Sequence, residues 1–229
     1  MDLLAELGVE KLVHTSSVAA IGYRTDRGIA DETTAYNWGS QLSYKYSKHL
    51  AELEVLNGVR RGLNATIVNP SVVIGPRDVY VHGGKIVRDI RRGRIPVYVD
   101  GGMNIVSIHD VVRGHLAAAS IGRPGERYIL GGINLSHKEI FDRTALLIGG
   151  KAPSIRAPVR FAKALAAAFD LIGDISNSEP WISTDLLAGI GMNQWYSFEK
   201  AKRELGHATT SIDDAIRGSH EWYEANGMM

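Results

Sequence analysis

Two residues with chemically useful side chains, Tyr44 and Lys48, lie four positions apart at the start of a helical pattern that runs to about Val59. Residues four apart share one face of a helix, one turn from each other. A free phenol has a pKa of about 10, but a nearby cation stabilises the phenolate. With a bound cationic cofactor and a partly dry pocket, the pair could act as a general acid and base. The same spacing also arises by chance, so the surrounding sequence must decide whether the pair is catalytic.

The residues before this helix predict a strand that ends beside it. Residues 2–7 have helical spacing, and residues 11–15 form a short apolar run typical of a buried strand. The run ends in Ser16 and Ser17. In parallel sheets flanked by helices, ligands bind beyond the carboxyl ends of the strands, so Ser16 and Ser17 are both candidate site residues. The alternative is that both serines only cap the strand.

The helix itself predicts which of its sides is buried. Leu50, Leu53 and Leu56 lie on one face, and Glu52 and Glu54 lie outside it. We therefore expect the leucines to face the core and both glutamates to face solvent.

The rest of the chain alternates apolar runs with helical patterns, which predicts an α/β fold with a parallel sheet. Ser136 and Glu139 form a capping-box pattern, and so do Ser211 and Asp214. The predicted strands cover residues 65–69, 95–99, 104–108 and 127–130; the predicted helices cover residues 110–119, 136–148, 159–172, 198–205 and 211–224. A change to mostly helical character divides the chain into residues 1–150, which carry the sheet, and a lobe of residues 151–229.

Composition narrows the function. The chain has 229 residues, 45% hydrophobic and 22% charged, and a net charge of +1, which gives no reason to expect nucleic acid or an anionic membrane as a partner. It has no cysteine, which excludes disulfides and thiolate chemistry and fits a cytoplasmic setting. The longest apolar tract, residues 161–172, contains Lys163 and Asp170 and is too short and too charged to span a membrane. The first residues do not resemble a secretory signal.

Several motifs in this order resemble the extended short-chain dehydrogenase/reductases, the NAD-dependent epimerase/dehydratase group. They are residues 14–22 (HTSSVAAIG), Tyr44 to Lys48 with Ala51 and Glu52, residues 69–76 (NPSVVIGP), residues 108–112 (IHDVV) and residues 200–206 (KAKRELG). Within this group the chain is most similar to dihydroflavonol 4-reductase-type proteins and to hopanoid-associated sugar epimerases.

The resemblance implies a Rossmann-type fold, NAD or NADP as cofactor, and roles for particular residues. Tyr44 exchanges the proton at the substrate oxygen, and Lys48 assists it and binds the nicotinamide ribose. Ser17, five residues before Gly22, holds the substrate oxygen. The loop of Pro70, Ser71 and Val72 lies against the nicotinamide. The cofactor carries the hydride, and no metal is needed.

Two departures from the family pattern matter. Nucleotide-sugar enzymes usually carry an arginine seven residues before the aspartate that matches Asp110, and this chain has Met103 there. That favours a smaller carbonyl substrate, although Arg88, Arg91 or Arg92 could substitute. No GxGxxG or GxxGxxG occurs in the 229 residues, so we expect the glycine-rich pyrophosphate site to be absent from this sequence.

The sequence therefore predicts an NAD(P)-dependent oxidoreductase that reduces a carbonyl. A nucleotide-sugar epimerase or dehydratase is the first alternative, and a shortened, non-catalytic fragment or binding module is the second. We expect a small carbonyl or sugar-like substrate, and a homodimer that forms through the Tyr44 helix. The choice between NAD and NADP stays open, because the residue that reads the ribose belongs to the N-terminal part of the family.

Overall fold

The computed structural model describes residues 6–161, 189 and 191–229. Most of the helix predicted for residues 2–7 and most of the helix predicted for residues 159–172 therefore lie outside the described residues. The strands are β1 (Leu12–Thr15), β2 (Ala65–Pro70), β3 (Val72–Ile74), β4 (Val97–Tyr98), β5 (Gly102–Ser107), β6 (Arg127–Leu130), β7 (Ile133–Ser136), β8 (Ile155–Arg156) and β9 (Asn193–Gln194). The helices are α1 (Ser43–Arg60), α2 (Lys85–Arg91), α3 (Ile108–Ile121), α4 (His137–Ile148), α5 (Glu199–Leu205) and α6 (Ile212–Ala225), and a 3-10 helix spans Val18–Ala20.

The first sheet is parallel and has the order β1-β2-β6. Side chains alternate between its two faces, as they do in any strand. From β2, Ala65 and Ile67 pack with Val55 of α1 on one face, whereas Val68 packs with Val111 of α3 on the other. The parallel α/β architecture predicted from the sequence is confirmed, with helices on both sides of the sheet.

The second sheet is centred on β5, which pairs with β3 and β9 in parallel and with β7 in antiparallel fashion. The chain leaves the first sheet at Pro70 and enters the second at Val72, so Ser71 lies at the transition. Helices α2, α4 and α6 cover this sheet through a core that includes Ile90, Ile140 and Ile216. The connection between the two sheets thus brings residues 70–72 to the carboxyl end of β2.

The buried face of α1 differs from the prediction. Glu52 is only 2% exposed and lies in the core, whereas Leu50 and Leu53 are 42% and 41% exposed. The prediction that Glu52 faces solvent is wrong, because polar groups of the sheet satisfy its carboxylate there. A buried charge is stable only when it is paired in this way.

Other local predictions have mixed outcomes. The capping box of Ser136 and Glu139 is confirmed at the start of α4. Ser211 is the N-cap residue of α6, but its side chain makes no capping hydrogen bond, so the second capping box is wrong. The strand predicted for residues 95–99 is reduced to β4, which pairs with β8. The strand predicted for residues 11–15 begins at Leu12 and is only partly buried, since β2 is its one pairing partner in the described part of the chain.

The helix predicted to begin at Asp110 begins two residues earlier, at Ile108, and Ser107 is its N-cap. Among the described residues, no helix is long and apolar enough to cross a membrane. The division at residue 150 stays a prediction, since much of the second segment lies outside the described residues.

Candidate active site

Tyr44 and Lys48 lie in the first two turns of α1, and Lys48 reaches the carboxyl end of β1. The Tyr44 side chain is accessible, at 56% exposure. The Lys48 ammonium lies 5.9 Å from the centroid of the Tyr44 ring. It also donates a long hydrogen bond, 3.5 Å, to the carbonyl oxygen of Thr15 at the end of β1. The structure therefore places an accessible phenol beside a cation that the sheet holds in place.

Ser17 lies directly after β1, where it caps the 3-10 helix formed by Val18–Ala20. Its hydroxyl oxygen accepts a hydrogen bond from the backbone N–H of Ala19, at 3.1 Å. A serine hydroxyl has one donor and two acceptor positions, so this contact leaves the O–H free to donate. Ser17 is therefore a cap, as the structural alternative predicted. Its free O–H could also donate a hydrogen bond to a substrate oxygen.

The 3-10 helix of Ser17 packs directly against α1, which carries Tyr44 and Lys48. The two parts of the candidate site come from segments separated by the loop of residues 23–42. Trp38 anchors this loop by donating its indole N–H to the carbonyl of Ile21, at 2.9 Å. Gly22 is needed at the turn, because a Cβ there would lie 1.9 Å from the carbonyl oxygen of Ala35.

The segment of Pro70, Ser71 and Val72 lies at the carboxyl end of β2, on the same edge of the sheet as Ser17, which follows β1. Pro70 is the last residue of β2 and pairs with Leu130, and Val72 is the first residue of β3. The Ser71 hydroxyl is buried and has no hydrogen-bond partner within the part of the chain that the structure describes. Buried hydroxyls normally have a partner, so this one could receive a bound molecule or a water.

A buried polar network lies underneath these residues, between α1 and the first sheet. The side-chain amide of Asn69 donates to Glu52 at 2.5 Å and to the carbonyl oxygen of Ser17 at 2.9 Å. Arg127, from β6, donates to the second oxygen of Glu52 at 3.2 Å and to the backbone carbonyl of Glu32. The network therefore connects α1, two strands and the Ser17 loop.

His14, on β1, lies near this network. Burial lowers the pKa of His14, the negative charge of Glu52 opposes the shift, and the positive charge of Lys48 adds to it. A neutral imidazole next to Lys48 avoids a second positive charge under the site. His115, on the other face of the sheet, contacts the Thr15 hydroxyl at 3.0 Å and fixes the end of β1 from that side.

The sequence predicts Ser17, Tyr44 and Lys48 as site residues and indicates no role for Glu52, Asn69 or Arg127. Glu52 and Asn69 both lie in the quoted motifs, so their positions were visible. The sequence signal for a buried Glu52 is a glutamate next to a leucine-rich helix face, opposite a strand with a buried asparagine. Arg127 belongs to no motif, and only the sheet order brings it to Glu52.

Comparisons with known proteins identify the family that the sequence resembles. A sequence model of the NAD dependent epimerase/dehydratase family matches residues 1–131. A Synechocystis sp. relative, whose name provisionally assigns it as a dihydroflavonol 4-reductase, is 33% identical over 226 residues, which cover 96% of this chain and 66% of that protein.

Solved structures agree as well. The crystal structure of gox2253 is 37% identical, with a TM-score of 0.81 over 98% of this chain and 69% of gox2253. That of a nucleoside-diphosphate-sugar epimerase from Pseudomonas aeruginosa is 28% identical, with a TM-score of 0.84 over 100% of this chain and 71% of the epimerase.

The chain thus covers 66% of the Synechocystis relative and 69% and 71% of the two solved structures. The family match spans more than half of the 229 residues and includes the segments of Ser17, Tyr44, Lys48 and Asn69. Together with the Rossmann-type fold, this match establishes that the chain belongs to the NAD-dependent epimerase/dehydratase family.

Proposed function

We propose that this chain carries the catalytic residues of an NAD(P)-dependent oxidoreductase that reduces a carbonyl group. The observation that carries the proposal is the exposed Tyr44 side chain on the same helix face as Lys48, in a helix that packs against the Ser17 loop. In this proposal Tyr44 donates a proton to the carbonyl oxygen of the substrate. Ser17 donates a hydrogen bond to that oxygen and orients it. Lys48 stabilises the negative charge that remains on Tyr44 after proton transfer.

The residues at the carboxyl edge of the sheet fit the nicotinamide end of the cofactor. Lys48 has further donor positions beyond its contact with Thr15, which could bind the ribose hydroxyls. Pro70, Ser71 and Val72 would lie against the nicotinamide, and the unpartnered Ser71 hydroxyl is available there. When bound, the reduced cofactor supplies the hydride. Each of these assignments to Lys48 and to residues 70–72 is part of the proposal.

The substrate we propose is small and uncharged. Met103 occupies the position where the resemblance leads us to expect a diphosphate-binding arginine, and it lies within β5 opposite Leu135. Arg88 cannot easily replace it, because its guanidinium is 3.7 Å from the buried carboxylate of Asp89. The name of the Synechocystis relative supports reduction of a ketone. We place the cofactor-facing part in residues 1–150 and the substrate lobe in residues 151–229.

A nucleotide-sugar epimerase is the second candidate, and the Pseudomonas aeruginosa structure favours it. Tyr44 would then both accept and donate a proton during the reaction. Titration calorimetry with UDP-glucose and GDP-mannose separates the two candidates. We expect weak or no binding, because a bidentate arginine contact is the usual means of recognising a diphosphate. Micromolar binding of either sugar nucleotide would favour the epimerase.

The central experiment measures oxidation of NADPH and NADH by a complete version of the protein, one that includes the family's glycine-rich pyrophosphate site, in the presence of a dihydroflavonol, a ketosteroid or a simple cyclic ketone. Tyr44→Phe removes only the hydroxyl group and should lower kcat by about 10²–10⁴-fold while leaving the fold intact. Lys48→Ala should in addition weaken cofactor binding. Tyr46→Phe, two residues away, is the matched control. If Tyr44→Phe keeps the turnover of the unmodified chain, the assignment of the proton donor is wrong.

The third candidate is a non-catalytic binding module. It predicts cofactor or ligand binding without turnover, and with no effect of Tyr44→Phe on any measured activity.

We also propose that two copies associate through α1, since Leu50 and Leu53 are about two fifths exposed on its outer face. Replacement of both leucines by glutamine should then shift the oligomeric state in sedimentation analysis.

A further inference from the structure

The side-chain amide of Asn69 ties the Ser17 loop to β2, next to the backbone hydrogen bond from Ser16 to Val68. Asn69 is fully buried, and both hydrogens of its amide nitrogen are used, one by Glu52 and one by the Ser17 carbonyl oxygen. Its amide oxygen has no partner within the described part of the chain. The orientation of the amide therefore depends entirely on the two acceptors that its nitrogen faces.

Glu52 is the acceptor that determines this orientation. Its two carboxylate oxygens are divided between two donors: Asn69 on one side and Arg127 on the other. Because an ionised carboxylate only accepts hydrogen bonds, the Asn69 nitrogen must point towards it. The same nitrogen then reaches the Ser17 carbonyl. If the amide were reversed, its oxygen would face both the carboxylate and the Ser17 carbonyl, and both contacts would be repulsive.

We propose that Glu52 is a positioning residue for the reaction: held by Arg127, it orients the Asn69 amide, which fixes the Ser17 backbone and so directs the Ser17 hydroxyl towards the substrate oxygen. This inference rests on the proposed function for the role of the hydroxyl, but the orientation of the network stands independently of it. Because Glu52 follows Lys48 by one helical turn, the same network also fixes α1 against β2.

The inference makes a specific statement about Glu52→Gln, a change of almost equal size. Arg127 offers only donors, so it will draw the oxygen of the new glutamine to its own side. The glutamine NH₂ then faces Asn69, whose amide must reverse to accept from it. The Ser17 carbonyl then loses its side-chain donor and keeps only the backbone N–H of Ala20, at 3.0 Å. Adding Arg127→Met removes the competing donor, so that the glutamine oxygen can turn back to Asn69 and restore the contact with Ser17.

The first test does not depend on turnover. Labelling serine carbonyl carbons with ¹³C and valine nitrogens with ¹⁵N gives only two signals in an HNCO spectrum, from Ser17–Val18 and Ser71–Val72, because these are the only Ser-Val pairs in the sequence. The Ser71 carbonyl serves as an internal reference. We expect Glu52→Gln to move the Ser17 carbonyl signal in the direction of a weaker hydrogen bond, because only the Ala20 N–H still donates to it, and Glu52→Gln/Arg127→Met to return it.

Glu54→Gln is the control, because it makes the same charge change on the exposed side of α1. An equal Ser17 carbonyl shift in Glu52→Gln and Glu54→Gln would overturn the inference. So would a Glu52→Gln shift that Arg127→Met leaves unchanged, since a general loosening of the fold predicts no recovery when a second buried contact is removed.

The second test is kinetic and uses the same variants with NADPH and the ketone that gives turnover. Glu52→Gln should lower kcat by about tenfold to a hundredfold with little change in KM, because it misplaces a group that acts on the reacting oxygen. The double variant should recover part of this loss. If Tyr44→Phe abolishes turnover while Glu52→Gln leaves kcat unchanged, the proposed function stands and the positioning role is refuted. If Tyr44→Phe has no effect, the proposed function fails, and the carbonyl signal still decides the orientation of Asn69.

Discussion

Arg127→Met should reveal how strongly the fold depends on pairing the buried Glu52 carboxylate. The variant keeps most of the length and apolar volume of the side chain but removes the guanidinium that donates to Glu52 at 3.2 Å and to the Glu32 carbonyl. The Glu52 side chain is 2% exposed, so water cannot replace the lost donor, whereas the Arg127 side chain is 24% exposed. The main cost is therefore an uncompensated charge rather than a lost surface contact.

Removing one partner of a buried ion pair typically costs about 3–5 kcal/mol. The value expected here is at the lower end, about 3 kcal/mol, because Asn69 still donates to the carboxylate and Arg127 is partly solvated. In the Glu52→Gln background, Arg127→Met leaves no unpaired buried charge. Arg127→Met should then cost only about 1 kcal/mol, because it removes the hydrogen bond to the Glu32 carbonyl while the glutamine oxygen exchanges its Arg127 donor for Asn69. The expected coupling energy between the two sites is the difference, about 2 kcal/mol.

The assay is urea denaturation of the four proteins of this cycle, followed by far-ultraviolet circular dichroism, with the free energy of unfolding taken from the linear dependence on urea. The slope of that dependence must be the same in all four proteins for the comparison to hold. A coupling energy below about 0.5 kcal/mol would refute the reasoning, since it would mean that Arg127 does not sense the charge of Glu52.

Two further changes have expected outcomes of their own. Gly22→Ala should destabilise the fold by more than about 2 kcal/mol, because a new Cβ would lie 1.9 Å from the backbone oxygen of Ala35. Gly218→Ala is its control: the nearest atom, in Pro76, is 3.8 Å away, and alanine in a helix gains up to about 1 kcal/mol, which thermal denaturation can measure. Burial lowers the pKa of His137, so the unfolded chain takes up its proton first and stability falls as the pH drops below about 6.5. The loss of stability between about pH 7.5 and about pH 5.5 should be smaller in His137→Asn, and an equal loss in both proteins would contradict this assignment.

Features that depend on neighbouring residues could be predicted from the sequence. The helix that carries Tyr44 and Lys48 follows from its apolar spacing, and β2 follows from a short apolar run. The capping box of Ser136 forms because both of its members lie within one turn of the same helix. The family resemblance, which the family match confirms, came from short motifs in a fixed order.

Features that depend on distant residues could not be predicted from the sequence. Glu52 looked like a surface residue because helical periodicity places charges outside by default. It is buried because Asn69, 17 positions away, and Arg127, 75 positions away, meet it on one face of the first sheet. Only the strand order β1-β2-β6 and the alternation of side chains along β2 and β6 bring those two residues together. The tertiary structure thus decided which polar residues support the Ser17 loop, because a buried charge is stable only where distant partners converge on it.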